Sequence, residues 1–238
     1  MNVAILGYGK MGKTIEGVLL ERNHFVRLKV NANNLDALTL ANLQLCNVAI
    51  DFSRPSSAIS NYMLCFEAGI PVVSGTTGWL DQLDKVKYAM KEKEGTLFYA
   101  PNFSIGVNIF FKVNAFLAKI MNTQKAYDVE MEEIHHTQKL DSPSGTALRT
   151  ADIILNEMSS KVTWVENVKS SEKELLIKVK REDKVPGTHT VKYLSDEDKL
   201  SISHTATSRK GFALGAVLAA EWVIGKKGFF GMDDMLKF

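Results

Sequence analysis

Hydrophobic and polar positions alternate in two different ways along the chain, and the change falls near residue 104. Before it, short apolar runs ending in glycine or polar residues are separated by amphipathic stretches with helical spacing. Such runs are typical of strands buried on both faces, and their alternation with helices predicts a parallel βαβ sheet. The predicted strands are residues 2–7, 24–30, 45–53, 70–78 and 96–102, and the predicted helices are residues 11–22, 55–69 and 81–95.

After residue 104 the pattern changes to alternation at every second residue. Strands with one buried and one solvated face show this period, so we expect a helix-backed, mostly antiparallel sheet. The last apolar helix, 212–224, has no obvious partner in that sheet, and we expect it to return to the first domain. The predicted helices are 104–122, 145–158 and 212–224, and the predicted strands are 126–136, 175–182, 189–195 and 198–206.

Composition narrows the class of protein. The chain has 238 residues, 45% of them hydrophobic, with 29 basic and 27 acidic residues and a formal net charge of +2. That balance gives no general attraction to nucleic acid or to an anionic membrane, and no apolar run approaches the roughly 20 residues of a membrane span. Cys46 and Cys65 are too few for a disulfide framework. The absence of a signal-peptide pattern predicts a soluble cytoplasmic protein.

A glycine-rich turn follows the first predicted strand. "ILGYGKMG" places Gly7, Gly9 and Gly12 in the spacing G-x-G-x-x-G between a strand and a helix. In that context Gly7 permits a tight turn, Gly9 lets the backbone approach a pyrophosphate, and Gly12 allows close packing of helix on strand. The start of the helix would then bind phosphate through its free N–H groups. This predicts a dinucleotide site, the alternative being a plain structural turn.

The choice of dinucleotide depends on the second strand, "VRLKVNANN". NAD specificity usually comes with an acidic residue about 20 residues past the turn, and none lies near this strand's end. Lys29 would favour the 2′-phosphate of NADP, unless it is simply a solvated residue, and Asn31 could bond a ribose hydroxyl. We therefore predict NADPH as cofactor, with NADH also accepted.

Two further strand ends are expected at the same edge of the sheet. "SGTTG" (74–78) and "YAPNFS" (99–104) both follow apolar runs. Ligands of open parallel sheets bind outside the carboxyl ends of the strands, and small residues there suit close passage of a nicotinamide. The alternative is that both are ordinary strand-to-helix turns.

The stretch "EEIHHTQKLDSPSGTA" (132–147) carries the densest chemistry of the chain. His135 and His136 point to opposite faces of a strand, and the known metal-ligand spacings are missing, so we expect no metal site. Lys139 and a helix start at Ser144, Gly145 and Thr146 lie close in sequence. A cation, an imidazole and a helix N-terminus together suit a substrate that bears carboxylates and receives a proton. The alternative for His135 is a satisfied structural histidine.

This stretch resembles the signature E-x-H-H-x-x-K-x-D-x-P-S-G-T-A of the 4-hydroxy-tetrahydrodipicolinate reductase (dihydrodipicolinate reductase) family, which acts in lysine biosynthesis through diaminopimelate. "GYGKMG", "IDFSRP", "SGTTG", "APNFSIGVN", "VPGTHTV" and "SHTATSR" are similar to family segments and occur in the family's order over the whole chain. The signature is highly specific, whereas the glycine turn alone is not. Two departures concern cofactor choice: the first loop is one residue shorter than the common G-x-x-G-x-M-G form, and the acidic residue of many members is missing after the second strand.

The resemblance implies an α/β fold, with a Rossmann-like domain over residues 1–104 and 212–238. It also implies an α+β domain with a mixed, mostly antiparallel sheet over residues 105–211, which binds substrate and forms a homotetramer. The implied reaction is NAD(P)H-dependent reduction of a cyclic dicarboxylate. Implied catalytic residues are His135 as proton donor or acceptor and Lys139 as second proton donor, with substrate contacts at His136, Ser144, Gly145 and Thr146. Expected cofactor contacts are Gly7, Tyr8, Gly9, Lys10, Met11, Gly12 and Lys29, and, on the nicotinamide side by resemblance, Gly75, Thr76, Thr77, Ala100, Pro101, Asn102 and Phe103.

Two other functions stay open from the residues alone. A semialdehyde dehydrogenase on the same scaffold needs a nucleophilic cysteine, and neither Cys46 before a buried strand nor Cys65 in a helix is placed for that role. A non-enzymatic nucleotide sensor would bind the cofactor but would have no use for His135 and Lys139.

Overall fold

The computed structural model describes residues 1–238 and divides the chain into two compact units. The first contains Met1–Ile105 and Arg209–Phe238, and the second contains Gly106–Ser208. The last long helix lies in the first unit. The assignment of nucleotide binding to residues 1–104 and 212–238 and of substrate binding to residues 105–211 stays a prediction.

Eleven strands and eight α-helices build these units. The strands are β1 (Asn2–Leu6), β2 (Phe25–Val30), β3 (Val48–Asp51), β4 (Val72–Ser74), β5 (Thr96–Tyr99), β6 (Asp128–His135), β7 (Thr163–Glu166), β8 (Glu174–Arg181), β9 (Gly187–Leu194), β10 (Lys199–Ala206) and β11 (Gly228–Phe230). The helices are α1 (Lys10–Glu21), α2 (Leu40–Gln44), α3 (Pro55–Glu67), α4 (Leu83–Glu92), α5 (Ile105–Met121), α6 (Gly145–Glu157), α7 (Lys210–Val223) and α8 (Met232–Leu236).

The first unit is a six-stranded sheet in the order β11-β5-β4-β3-β1-β2, and every neighbouring pair is parallel. Val48 through Asp51 of β3 are all buried, as expected for a strand covered on both faces. Helices α1 and α7 contribute to the core on one face of the sheet, and α3 contributes to the core on the other. The three-residue β11 and the five-residue α2 and α8 were not predicted, because such short elements carry too little periodicity.

The second unit is a five-stranded sheet in the order β10-β9-β6-β8-β7. The predicted mixed sheet is confirmed, but antiparallel pairs do not predominate. Strand β9 runs antiparallel to β10 and β6, whereas β8 runs parallel to β6 and β7. Alternation records which face of a strand is buried and not its direction. The chain between β6 and β8 passes through α6, and a helical crossover brings the next strand back in parallel.

One face of the second sheet packs on α5 and α6, with Phe110 and Ala151 among the buried residues. Strand β6 alternates strictly, so Val129, Met131, Glu133 and His135 all lie on this buried face. The apolar half of that series belongs to the core, and the last two members bring a carboxylate and an imidazole into it.

No helix in the structure combines the length and the apolarity that crossing a lipid bilayer requires.

Candidate active site

The glycine turn between β1 and α1 has little room for side chains. Gly7 has φ +92°, and a Cβ there would lie 2.2 Å from the carbonyl oxygen of Phe52. A Cβ on Gly12 would lie 2.7 Å from the carbonyl oxygen of Gly7, so helix and turn are in close contact. A Cβ on Gly9 would meet no atom within 4 Å. The three positions thus have the tight turn, open approach and close packing expected of them, while phosphate binding itself stays a prediction.

Helix α1 begins at Lys10 without a side-chain cap, because its N-cap residue is Gly9. The N–H groups of the first turn of a helix have no partner within the helix and carry a partial positive charge. The backbone here therefore suits an anion, and Lys10, Met11 and Gly12 are the residues whose N–H groups would face it.

A cavity of about 470 Å³ opens beside this turn within the first unit. Apolar side chains and short hydroxyl-bearing ones line it, Arg54 is its one charged side chain, and no acidic residue reaches it. Its size and mixed lining fit part of a dinucleotide. The lining residues are Leu6, Gly7, Tyr8, Gly9, Val30, Asn31, Ala32, Leu35, Leu38, Phe52, Ser53, Arg54, Ser56, Ser57 and Asn61.

Lys29 does not line this cavity. Its Nζ lies 2.5 Å from Oε1 of Glu16, and its ammonium sits 5.2 Å from the ring centroid of Tyr8. The Tyr8 hydroxyl donates to Glu16 as well. The bond to Glu16 raises the pKa of Lys29, and the bond from Lys29 lowers the pKa of Glu16. The cation predicted to select a 2′-phosphate is thus compensated by the carboxylate of Glu16, which the packing of helix α1 on strand β2 brings beside it.

A buried carboxylate, Asp51, organises the ends of β3 and β4. It is fully buried and accepts hydrogen bonds from the Thr76 hydroxyl, from the Asn61 amide at 2.7 Å, and from the Ser53 hydroxyl at 2.9 Å. Burial raises the pKa of Asp51, and these hydrogen bonds oppose that rise. All three donors are neutral, so the network holds the loops in place without a countercharge.

The predicted nicotinamide-side residues follow β4 and β5 at the carboxyl edge of the sheet, but several of their side chains face the core. Thr76, Ala100 and Phe103 are 5%, 3% and 2% exposed. The Thr76 hydroxyl bonds Asp51, and the Phe103 ring packs against Phe52 with centroids 5.7 Å apart. The side chains of these three hold the loops together, which leaves only their backbone to meet a ligand. The other predicted contacts are the small Gly75, the exposed Thr77 and Pro101, and the partly buried Asn102.

The second unit carries a buried cluster at the end of β6. His135 is 7% exposed and Glu133, two residues earlier on the same face, is 0% exposed. His189 of β9 is 5% exposed and its ring centroid lies 5.0 Å from that of His135. Arg181 of β8 places Nη1 3.3 Å from Oε1 of Glu133. Sheet pairing thus collects two imidazoles, a carboxylate and a guanidinium from three neighbouring strands.

The pKa values of Glu133 and His135 are both lowered in this cluster, but for different reasons. Burial alone would raise the pKa of Glu133, but the contacts of His189 and Ser144 and the charge of His135 lower it to about 2. Burial lowers the pKa of His135, His189 lowers it further, and Glu133 opposes both, which leaves it at about 4. At neutral pH the cluster therefore holds a carboxylate and a neutral His135.

The loop after β6 carries the other predicted catalytic residue. The Lys139 ammonium bonds Asp141 at 2.7 and 2.9 Å, and the Lys139 N–H donates to the carbonyl of His136 at 3.1 Å. His136 is half-buried and Leu140 is 98% exposed. The ion pair of Lys139 lies on an open loop, so a dianionic ligand can compete with Asp141 for its ammonium.

Some of the N–H groups at the start of α6 already have hydrogen-bond partners within the protein. Ser144 is 2% exposed, its hydroxyl caps the helix by accepting from the Ala147 N–H at 3.1 Å, and it lies 3.0 Å from Nε2 of His189. The Ser144 N–H donates to Glu133 at 3.0 and 3.2 Å. Gly145 is exposed with open space around its Cα, and Thr146 is half-buried. The structure thus assigns Ser144 to holding the helix start, whereas Gly145 is exposed and Thr146 is half-buried.

Three groups of this cluster have the chemistry of metal ligands. Donor atoms of Glu133, His135 and His189 all lie within 4.8 Å of one another. From the sequence, only His135 and His136 were considered as metal ligands. Glu133 lies on the same face of β6 as His135, and the register of β9 adds His189. Because Arg181 and the Ser144 N–H already bind the Glu133 carboxylate, hydrogen bonding accounts for the cluster as it stands.

Comparison with known proteins gives one consistent family. The model described as "Dihydrodipicolinate reductase, N-terminus" matches residues 1–103, and the model described as "Dihydrodipicolinate reductase, C-terminus" matches residues 106–236. A 4-hydroxy-tetrahydrodipicolinate reductase of Christiangramia forsetii is 50% identical over 236 residues, which are 99% of this chain and 98% of that protein. The chain belongs to the dihydrodipicolinate reductase family. It is therefore an oxidoreductase of the diaminopimelate route to lysine, as the motif resemblance implied.

More distant members of the dihydrodipicolinate reductase family agree. The enzyme of the same name from Archaeoglobus fulgidus is 38% identical over 199 residues, covering 80% of this chain and 76% of that protein. The solved structure titled "Dipicolinate bound Dihydrodipicolinate reductase from Paenisporosarcina sp. TG-14" superposes with a TM-score of 0.81 at 24% identity, over 98% of both chains. That likeness confirms the predicted Rossmann-like fold with a second mixed sheet.

Several residues of the candidate sites were not singled out from the sequence. Arg54 of the cavity follows β3, and the rule that ligands bind beyond strand ends would have included it. Glu133 precedes His135 by two residues, so the period of a strand places both on one face. His189 and Arg181 carried no local signal, because only strand register brings them to His135.

Proposed function

We propose that this chain reduces 4-hydroxy-tetrahydrodipicolinate, with loss of water, to tetrahydrodipicolinate. The observation that carries the proposal is the buried cluster of Glu133, His135 and His189 beside the start of α6 and the Lys139 loop. It offers a titratable imidazole and a cation beside a helix start, which together suit a ring bearing two carboxylates. When bound, a reduced nicotinamide dinucleotide supplies the hydride that the ring receives at C4.

The chain's own residues supply the proton and hold the ring. Loss of water leaves a conjugated imine, and the carbon next to the hydride acceptor must then gain a proton. His135, or a water that it orients, delivers this proton. Its pKa of about 4 describes the free protein, and a dianion close by favours the charged imidazole, so substrate binding itself would raise the pKa. Lys139 and the N–H groups of Gly145 and Thr146 hold one carboxylate.

A kinetic test follows from the role of His135. Replacing His135 by Gln removes the titratable group and keeps a similar shape. General acid–base catalysis contributes about 10²–10⁴-fold, so kcat should fall by that factor while KM rises far less. Oxidation of cofactor at 340 nm, with substrate generated in situ, gives both constants. Normal turnover by the His135→Gln variant would remove its catalytic role.

The same assay separates the two rivals. A nucleotide sensor would bind cofactor without oxidising it. A semialdehyde dehydrogenase would need a nucleophilic thiol, but Cys46 and Cys65 are 5% and 0% exposed, and burial raises the pKa of both thiols. Neither cysteine is therefore placed to form a thiolate that reaches a substrate.

For the cofactor, we propose that both NADPH and NADH are used, with NADPH preferred. The glycine positions leave the backbone open to a pyrophosphate, and the cavity beside them has no acidic side chain to repel a 2′-phosphate. Arg54 rather than Lys29 is the cation that lines it. Titration with both nucleotides, followed by their fluorescence, tests the preference, and a tighter Kd for NADH would reverse it.

We further propose a homotetramer that works in the cytoplasm. Four apolar residues at helical spacing on α5 are 45–69% exposed, and a second copy of the chain is the natural cover for such a stripe. Both cysteines are unpaired, as is usual in a reducing compartment. Light scattering on the eluting protein gives its mass, and a monomer would contradict the assembly. The exposed apolar residues are Ile109, Val113, Phe116 and Ile120.

A further inference from the structure

Glu133 is a buried carboxylate of the second unit to which the proposed reaction gives no role of its own. Its side chain is fully buried at the end of β6, on the same face as His135 and two residues before it. A buried carboxylate is costly unless it is bound on several sides. Its contacts therefore show what the chain gains by keeping it there.

The carboxylate is held by groups from three other segments. Arg181 of β8 and the N–H of Ser144 bind Oε1 at 3.3 and 3.2 Å, and the same N–H lies 3.0 Å from Oε2. Oε2 also lies 3.6 Å from Nε2 of His189 and 3.7 Å from Nδ1 of His135. One oxygen is thus placed between two imidazoles while the other is fixed by a guanidinium.

The surroundings of His135 make its two ring nitrogens unequal. Nδ1 is buried without a hydrogen-bond partner and faces Glu133 across 3.7 Å. Nε2 faces Gly187, where a Cβ would come within 2.8 Å of it. The ring packs closely against Gly187, which has no side chain to displace it. Because Nδ1 is turned toward Glu133, Nε2 is the nitrogen left to bind another molecule.

We propose that Glu133 is a positioning residue that sets the tautomer of His135. Its carboxylate accepts from Nδ1–H, which leaves Nε2 with the lone pair that gains and loses the transferred proton. A shift of a few tenths of an ångström would bring the present 3.7 Å contact into hydrogen-bond range, and catalytic hydrogen bonds often tighten when substrate binds. Through Ser144, the same carboxylate fixes the start of α6 relative to His135.

Charge supports the same arrangement. The charged and titratable groups facing His135 are Glu133 on its own strand, His189 on β9, Arg181 on β8 and Lys139 on the following loop. Glu133 is the one negative charge among them, so it alone favours the protonated imidazole that donates to substrate. Without it, three cationic or titratable basic groups would act together against protonation.

The decisive measurement is the ring-nitrogen NMR spectrum of ¹⁵N-labelled protein near pH 7, with His135 assigned by its loss in the His135→Gln variant. The wild type should show the Nδ1–H tautomer for His135. Glu133→Gln should weaken that preference, lower kcat about 10–100-fold, the range seen when a residue that orients a metal-ligating histidine is replaced, and change KM little. Glu133→Asp, which keeps the charge, should recover part of the loss.

Glu132 offers a matched control, because it lies on the opposite face of the same strand and pairs with Lys180 and Lys192. Glu132→Gln should leave the spectrum and kcat unchanged. An Nε2–H tautomer in the wild type, or full kcat in Glu133→Gln, would overturn the inference. The expected changes in kcat and KM rest on the proposed function, whereas the tautomer seen in the NMR spectrum does not depend on it. If Glu133→Gln failed to fold, the wild-type tautomer alone would still decide.

Discussion

The candidate sites of the two units hold their geometry in different ways. In the first unit the glycine turn is a matter of backbone shape, because Gly7 and Gly12 occupy positions where a Cβ would lie 2.2 and 2.7 Å from carbonyl oxygens. In the second unit the cluster around Glu133 depends on side-chain charge. Adding a side-chain atom at the glycine turn should therefore lower the stability of the first unit. The stability that the Glu133 cluster gives to the second unit should instead depend on pH.

Two fully buried carboxylates make the same contrast. Asp51 is bound by neutral donors, and burial raises its pKa. Burial alone would raise the pKa of Glu133, but the contacts of His189 and Ser144 and the charge of His135 outweigh burial and bring it to about 2. Equal burial thus leads to opposite shifts, because the charge of the neighbours decides which protonation state is stabilised.

The largest effect is expected at Gly7. Gly7→Ala forces a Cβ against the backbone of Phe52 at a positive φ, so the free energy of unfolding should fall by about 3 kcal/mol or more. Gly9→Ala is the matched comparison, since its Cβ would enter open space. It should change stability by less than about 1 kcal/mol and still weaken nucleotide binding. Urea unfolding measures the stability of both variants, and nucleotide fluorescence measures their binding. Equal losses of stability in Gly7→Ala and Gly9→Ala would contradict this prediction.

The next effect concerns acid stability and Glu133. Its pKa falls from 4.5 when unfolded to about 2 when folded, so its stabilisation is complete above pH 4.5 and is lost as the pH falls toward 2. Glu133→Gln should lower the free energy of unfolding at pH 7 by on the order of 3 kcal/mol. This difference should shrink steadily below pH 4.5. A difference that stayed constant down to the lowest accessible pH would mean that charge is not the cause.

Asp51 should show the opposite trend. Its folded pKa is raised, so its contribution is complete below the unfolded pKa of 3.8 and is lost as the pH rises through the folded value. The stability difference between wild type and Asp51→Asn should therefore be larger near pH 3.8 than at neutral pH. Urea unfolding at a series of pH values measures it. A difference that grew with pH would show that the hydrogen bonds outweigh burial.

The smallest effect is expected at Lys29. Because its ammonium pairs with Glu16 and lies outside the cavity, Lys29→Ala should change the ratio of the Kd values for NADPH and NADH by less than about fivefold. Arg54→Ala, which removes the cation that lines the cavity, should change the ratio more. A loss of NADPH binding confined to Lys29→Ala would restore the role first predicted for it.

Much of the fold could be predicted because burial pattern and strand direction are linked in the first unit. Apolar runs alternating with helices allow little besides parallel βαβ units, and that sheet is parallel throughout. In the second unit alternation identified β8, β9 and β10 as strands but left their pairing undetermined, and the parallel β6–β8 pair was unforeseen. The same limit hid His189 and Arg181, whose distance from His135 depends on register alone.

The order of residues by itself determined the glycine turn, the strand that carries Glu133 and His135 on one face, and the family signature, because these depend on local spacing. Tertiary structure decided which charges meet. It placed Glu16 beside Lys29, Arg181 and His189 beside Glu133, and Phe103 in the core. Contacts between residues far apart in sequence follow from how strands pair and helices cross, and the energy of a charge depends on those neighbours.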